Sequence, residues 1–309
     1  MRHALALVFT LLTVHSALAD TKPNFIVVFC DDLGYADIGP FGSKTHDTPV
    51  LDRMAREGMR LTDFYSTCSV CTPSRSSLMT GCYPRRVNMH VDEKNLCVLF
   101  PAARKGLNPS EVTVAEVLKT RGYATMAIGK WHLGDHPDFM PTNQGFDHYF
   151  GIPYSNDMNR KNVPLPLVRD LKVLASGIQK DTTITRQYTH EAVKFIRANK
   201  SRPFFLYLPH TAVHLPLVPA KRFRGQSRDG LWRLGPRDRL VDGRVVQGTR
   251  GVRNRQADAG PVHLRQRFRS GPPGQQPAAA RPQGTDRRGR HAGAVRGPLA
   301  RKNSRRYQQ

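Results

Sequence analysis

A chain of 309 residues has material for one large domain or two small ones and for an extensive buried core. Its formal charge of +24 would suit a polyanion binder, but the charge is unevenly placed: residues 231–309 hold 19 Lys and Arg against 4 Asp and Glu, and supply 15 of the 24 charges. The first 230 residues, with 29 basic against 20 acidic side chains, carry no sign of a nucleic-acid-coating protein.

The N-terminus places Arg2 and His3 before an apolar run over residues 4–12 and then Ala17-Leu18-Ala19. This is the layout of a secretory signal over residues 1–19, too short for a bilayer anchor, and it predicts a secreted or periplasmic product beginning at Asp20. No later apolar run approaches membrane length. Five cysteines (Cys30, Cys68, Cys71, Cys82, Cys97) are an odd set for an exported chain. If one is spent on modification, four remain, free to pair or to stay as buried thiols.

Residues 24–30 form a continuous apolar run suited to a central parallel strand, ended by Asp31-Asp32-Leu33-Gly34. A helix is predicted over 49–57, closed by Gly58, and a strand over 58–65. An amphipathic helix over 113–120 precedes a strand over 123–129, and a helix over 189–199 precedes a proline-bounded strand over 203–208. Alternation of this kind predicts an α/β sandwich with a mainly parallel sheet. Its chemistry should gather at the strand carboxyl ends. Three polar clusters fall there: Asp31-Asp32, Gly129-Lys130-Trp131-His132, and His210 to His214.

Each cluster has a plain structural reading beside a chemical one. Asp31-Asp32 is ordinary turn chemistry, or a carboxylate pair awaiting a hard divalent cation. Lys130 and His132 lie two apart, so on an extended segment both face one side and could pair an anion-holding ammonium with a proton-handling imidazole. A lysine beside a tryptophan is also common at surfaces. Cys71-Thr72-Pro73-Ser74-Arg75, running on through Leu78 to Thr80-Gly81, reads either as a proline-initiated helix turn or as a site of modification. Ser155, in Ile152-Pro153-Tyr154-Ser155, is a turn residue when taken alone.

Together, in this order and spacing, these clusters resemble the formylglycine-dependent sulfatases across residues 23–230, in particular the arylsulfatase and N-acetylgalactosamine-6-sulfatase branch. The resemblance implies an alkaline-phosphatase-like α/β sandwich, here truncated, with a catalytic part over 20–230. It implies conversion of Cys71 to formylglycine by a formylglycine-generating enzyme. Ca²⁺, or alternatively Mg²⁺, would be bound by Asp31, Asp32 and the modified Cys71. Arg75 would orient the aldehyde hydrate, Lys130 would bind sulfate, and His132 would handle a hydrate proton. His214 would contact the sulfate or its leaving group, and Ser155 would support the site by hydrogen bonding. One hydrate hydroxyl would attack sulfur, and loss of a proton from the other would collapse the hemiacetal and expel sulfate. The implied substrate is a sulfated carbohydrate or an aryl sulfate; phosphoester or phosphonate hydrolysis is the alternative on the same fold.

The family pattern also calls for an Asp-Asn-Gly metal turn and a Gly-Lys-Gly sulfate site farther on, and neither is written in residues 231–309. That tail has eighteen arginines, one lysine (Lys302) and no glutamate. Its composition predicts disorder rather than a true domain. One reading is a noncatalytic sulfatase-like fragment whose basic tail binds polyanions, although lysine would serve such a tail as well. The other is a shifted reading frame, which would account for the arginine bias. Permitted codons for Trp232-Arg233-Leu234-Gly235 (TGG CGA CTG GGT), read from the second base, give Gly-Asp-Trp-Val. Those for residues 262–269 give Phe-Thr-Ser-Asp-Asn-Gly-Ser, and those for 281–284 give Gly-Arg-Lys and a glycine. An insertion or deletion near residues 230–232 would thus leave this copy of the enzyme impaired.

Overall fold

The computed structural model describes residues 22–44, 46–158, 163–218 and 262–265. The chain divides into units 1–270 and 271–309, and all described residues belong to the first. The signal expected over 1–19 lies outside the described residues, as does the tail expected to be disordered, apart from 262–265.

The strands are β1 (Phe25–Cys30), β2 (Ala124–Lys130), β3 (His148–Ile152), β4 (Pro166–Arg169), β5 (Lys172–Ser176), β6 (Phe204–Pro209) and β7 (Val262–Arg265). They form one sheet in the order β5-β4-β3-β2-β6-β1-β7. The pairs from β3 across to β7 are parallel, while β4 and β5 add an antiparallel edge. The central strands are the most buried: every residue of β2 and of β6 is buried, as strands covered on both faces require. At the β5 edge every residue is exposed.

The helices are α1 (Pro49–Glu57), α2 (Cys71–Thr80), α3 (Val114–Thr120) and α4 (Ile184–Ala198). The first matches its predicted span, opening on a proline whose missing N–H costs nothing at that position. The third begins one residue after Thr113, which closes a capping box with Glu116: Thr113 Oγ1 accepts from the Glu116 amide at 3.2 Å and Glu116 Oε2 accepts from the Thr113 amide at 2.6 Å. The fourth starts five residues before its expected position because Asp181 organises the approach, accepting from the Thr183 amide and from Gln187 Nε2. It packs on β2, β3 and β6.

Residues 58–65 are not a strand. Their β-like composition is misleading because Met59, Leu61 and Tyr65 are exposed, and no strand pairs with the segment among the described residues. Conversely, 262–265 lies in the arginine-rich tail yet forms β7, in parallel register with β1 from Val27↔Val262 to Cys30↔Arg265.

Because β1, β2, β3 and β6 run parallel, their carboxyl ends open onto one edge. Gly129 draws β2 and β6 together there. It has φ +131°, and a Cβ would stand 1.8 Å from the Pro209 carbonyl oxygen, so only glycine fits.

Candidate active site

Four loops leave that edge and are tied in pairs by their backbones. The Asp31 amide donates to the Ala212 carbonyl at 3.0 Å and the Val213 amide to the Asp31 carbonyl at 2.8 Å, joining the ends of β1 and β6. The Trp131 amide donates to Ile152 and the His132 amide to Pro153, joining β2 to β3. These ties bring Asp31-Asp32, Lys130, Ser155 and His214 to one place.

Cys71 enters as the first residue of α2, buried, with Arg75 one turn later on the same face. Asp31 lies at the centre. Its Oδ1 accepts from Arg75 Nη2 at 3.1 Å, and its Oδ2 accepts from Lys130 Nζ at 2.5 Å. All three side chains are completely buried. Lys130 Nζ also donates to Ser155 Oγ at 2.9 Å and lies 3.2 Å from Cys71 Sγ, which itself lies 3.7 Å from Asp31 Oδ1. Arg75 is held further by the Lys130 carbonyl at 2.7 Å and by stacking over Phe29.

The charges follow from this packing. Burial pushes the Asp31 carboxyl up, but the Lys130 ammonium and Arg75 guanidinium outweigh it and hold the group well below the usual carboxylate range. Asp32 is pushed up by burial and by the neighbouring Asp31 charge. Burial raises the Cys71 thiol against the pull of Lys130, so the thiol is protonated near neutrality. His214 Nε2 stands 3.7 Å from Asp32 Oδ2 at the outer side of the cluster.

His132 departs from the sequence reading. The extended segment expected to align it with Lys130 is absent: β2 ends at Lys130, and His132 has φ +62°. Its Nε2 bonds the Leu99 carbonyl at 2.9 Å, and its own carbonyl accepts from Thr72 Oγ1. A carbonyl only accepts, so Nε2 carries the proton and Nδ1, buried without a partner, keeps its lone pair. Thr72 and Leu99 are therefore site-building residues that the sequence reading missed; a bond to a backbone carbonyl leaves no mark in residue type. No disulfide constrains the cluster, since all five cysteines are free.

Burial holds both His132 and His210 neutral, with His210 pushed down to about 4. Below pH ~6.5 the unfolded chain therefore binds protons that the folded chain refuses. Stability present above that pH is lost as pH falls toward 4. His210→Gln is expected to flatten the dependence of melting temperature on pH across this window, removing about 3 kcal/mol of the acid loss. Thermal melts at pH 7 and pH 4.5 check this; equal slopes in the two proteins would show that His210 titrates normally.

A family model, Sulfatase, matches residues 23–256. The chain belongs to the sulfatase family. It is 38% identical over 244 residues to arylsulfatase A of Homo sapiens, covering 71% of this chain and 47% of that one. It is 34% identical over 263 residues to N-acetylgalactosamine-6-sulfatase of Canis lupus familiaris, covering 78% and 49% respectively. Among solved structures, Ps i-CgsB in complex with k-i-k-neocarrahexaose superposes with a TM-score of 0.64 at 30% identity, covering 75% of this chain and 56% of that one. The sulfatase chain thus spans about half the length of these relatives. Its mostly parallel sheet with packed helices is the alkaline-phosphatase-like sandwich of the family, and no helix among the described residues is long and apolar enough to cross a membrane.

Proposed function

We propose that this site is the centre of a sulfuric ester hydrolase in which Cys71 is converted to formylglycine, and that it acts on sulfated carbohydrate or aryl sulfate esters. The observation that carries this reading is the packing of Lys130 Nζ 3.2 Å from Cys71 Sγ, beside a buried guanidinium and carboxylate. Such a pocket presents fixed positive charge to an anion next to one reactive position. Cys71 Sγ stands in for the oxygen substituents of the modified residue, and formylglycine, once formed, supplies a nucleophilic hydrate oxygen and a route for releasing sulfate. Asp32 Oδ1, buried without a partner, suits a hard cation. Asp31 and Asp32 would hold Ca²⁺, or alternatively Mg²⁺, whose charge would polarise the sulfate oxygens. Ca²⁺ takes about 6–8 oxygens, more than these two carboxylates offer.

The chain's own residues divide the remaining work. Lys130, steadied by Ser155, binds a sulfate oxygen, and Arg75 orients the group at position 71. Nδ1 of the neutral His132 accepts a proton. His214 faces the leaving group, with Asp32 Oδ2 3.7 Å from its Nε2. The cleft beside His214 mixes apolar walls from Ile152, Ile178 and Leu217 with the polar side chains of Asn156 and Thr211, which could hydrogen-bond a sugar hydroxyl at its mouth. The similarity to Ps i-CgsB, solved with a bound neocarrahexaose, and to an N-acetylgalactosamine-6-sulfatase supports a carbohydrate substrate.

Cys71 is only 5% exposed in the folded chain, so its conversion precedes closure of the fold. That fits export through residues 1–19 and a meeting with the formylglycine-generating enzyme on the way. The missing Asp-Asn-Gly and Gly-Lys-Gly segments leave this copy impaired. Co-production with a formylglycine-generating enzyme is expected to yield a Cys71 peptide that reacts with hydrazide probes in mass spectrometry; an untouched thiol would overturn the assignment. Purified converted protein should release sulfate from a chromogenic aryl sulfate slowly, faster with Ca²⁺, and faster than phosphate from the matching aryl phosphate. A preference for the phosphate ester would make the site a phosphoesterase.

A further inference from the structure

Cys71, before conversion, has a second chemistry open to it. A carboxylate oxygen of Asp31, the Cys71 sulfur and a ring nitrogen of His214 all lie within 4.8 Å of one another. Sulfur, imidazole nitrogen and carboxylate oxygen are together the donor set of a borderline-soft cation, whereas a hard cation takes oxygen alone.

The orientation of His214 favours coordination. Its Nδ1 donates to the Leu215 carbonyl, which leaves the Nε2 lone pair free in the manner of a metal-ligating imidazole braced through its other nitrogen. Nε2 stands 3.7 Å from Asp32 Oδ2, and Asp32 Oδ1 is buried without a partner. Tetrahedral Zn²⁺, with its sulfur, nitrogen and oxygen ligands at their usual distances, separates adjacent donors by about 3.5 Å. One edge of that tetrahedron is already close, Cys71 Sγ to Asp31 Oδ1 at 3.7 Å; Asp32, whose Oδ2 stands 3.7 Å from His214 Nε2, lies outside the three-residue cluster and turns in as the fourth ligand.

We propose that the unconverted chain binds Zn²⁺ through Cys71 Sγ, His214 Nε2 and the carboxylates of Asp31 and Asp32, and that conversion of Cys71 abolishes this site. Asp31 Oδ1 faces the metal with its second lone pair while still accepting from Arg75, and Lys130 keeps Oδ2. Zn²⁺ would thereby mark chains that escaped maturation, occupying the same pocket that the converted form offers to a hard cation. The inference rests on the active-site reading for its account of maturation, but its test needs no turnover and no converted protein.

Full-length protein made without a converting enzyme is titrated with Co²⁺ as a spectroscopic probe and then with Zn²⁺. The expected result is one thiolate-to-cobalt charge-transfer band saturating at one equivalent and erased by Zn²⁺ but not by excess Ca²⁺. Cys71→Ser should lose the band and Cys97→Ser should keep it. His214→Ala, a change at the outer side of the site, should weaken Zn²⁺ at least tenfold while retaining the melting temperature. Absence of the band, its survival in Cys71→Ser, or undiminished affinity in His214→Ala would overturn the proposal. Aldehyde formation at Cys71, read separately by mass spectrometry, would stand or fall independently of these outcomes.

Discussion

Lys130→Met should cost the fold about 3–5 kcal/mol, the range for removing one partner from a buried ion pair. The Asp31 carboxylate, completely buried between two cations, would keep Arg75 on Oδ1 and lose the ammonium on Oδ2. Methionine fills the lysine stem's volume, so the loss reports charge rather than a cavity. For a unit of this size the melting temperature is expected to drop by roughly 10 °C. Adding Asp31→Asn to Lys130→Met should deepen the loss rather than recover it, because the completely buried Arg75 guanidinium then has no carboxylate, while Asp31→Asn alone strips both Lys130 and Arg75 of their shared anion and is destabilising. A double-mutant cycle from urea melts measures the coupling. A loss under about 1 kcal/mol in Lys130→Met would show that water reaches the pair and that the site is far more open than its geometry states.

The coupling also explains what was legible in the sequence and what was not. The strand-end positions of Asp31-Asp32, Lys130 and the His210 to His214 cluster followed from apolar runs and the rule that parallel sheets gather chemistry at their carboxyl ends; the structure unites Asp31, Lys130, Ser155, Cys71 and Arg75 there. Helix α2 was harder to read. Residues Cys71 to Ser77 are all buried, so no polar face exists to set a helical period. The same burial hides the role of Asp31, which residue type presents as a metal ligand and packing presents first as the shared anion of Lys130 and Arg75. The segment 58–65 failed the other way: its composition suits a strand, but strand propensity is realised only where a neighbouring strand and a covered face exist. The antiparallel edge β4 and β5 also escaped, since Lys172–Ser176 is exposed throughout and carries no alternation of burial.

Restoring the reading frame after Gly230 is expected to raise sulfate release by at least about 10³-fold over the present chain, once both are converted at Cys71 to the same extent. Loss of one transition-state donor alone costs about 10²–10³, and the shifted frame would return two metal-ligand oxygens and a lysine. With the codons assigned above, the register of β7 is compatible with this reading. Arg265 pairs with Cys30, so the aspartate read from codon 265 in the shifted frame would fall beside the end of β1. Just beyond that strand end, Asp32 has a buried oxygen still lacking a partner. A metal turn in that position would complete an oxygen cage that the two existing carboxylates cannot close. The gene sequence is the first check: if the bases encoding residues 262–269 do not yield Asp-Asn-Gly in the shifted frame, the idea fails before any assay. If they do, Ca²⁺ affinity measured by calorimetry should rise together with turnover in the restored chain. A rise in turnover without tighter Ca²⁺ binding would assign the gain to the returned lysine rather than to the metal turn.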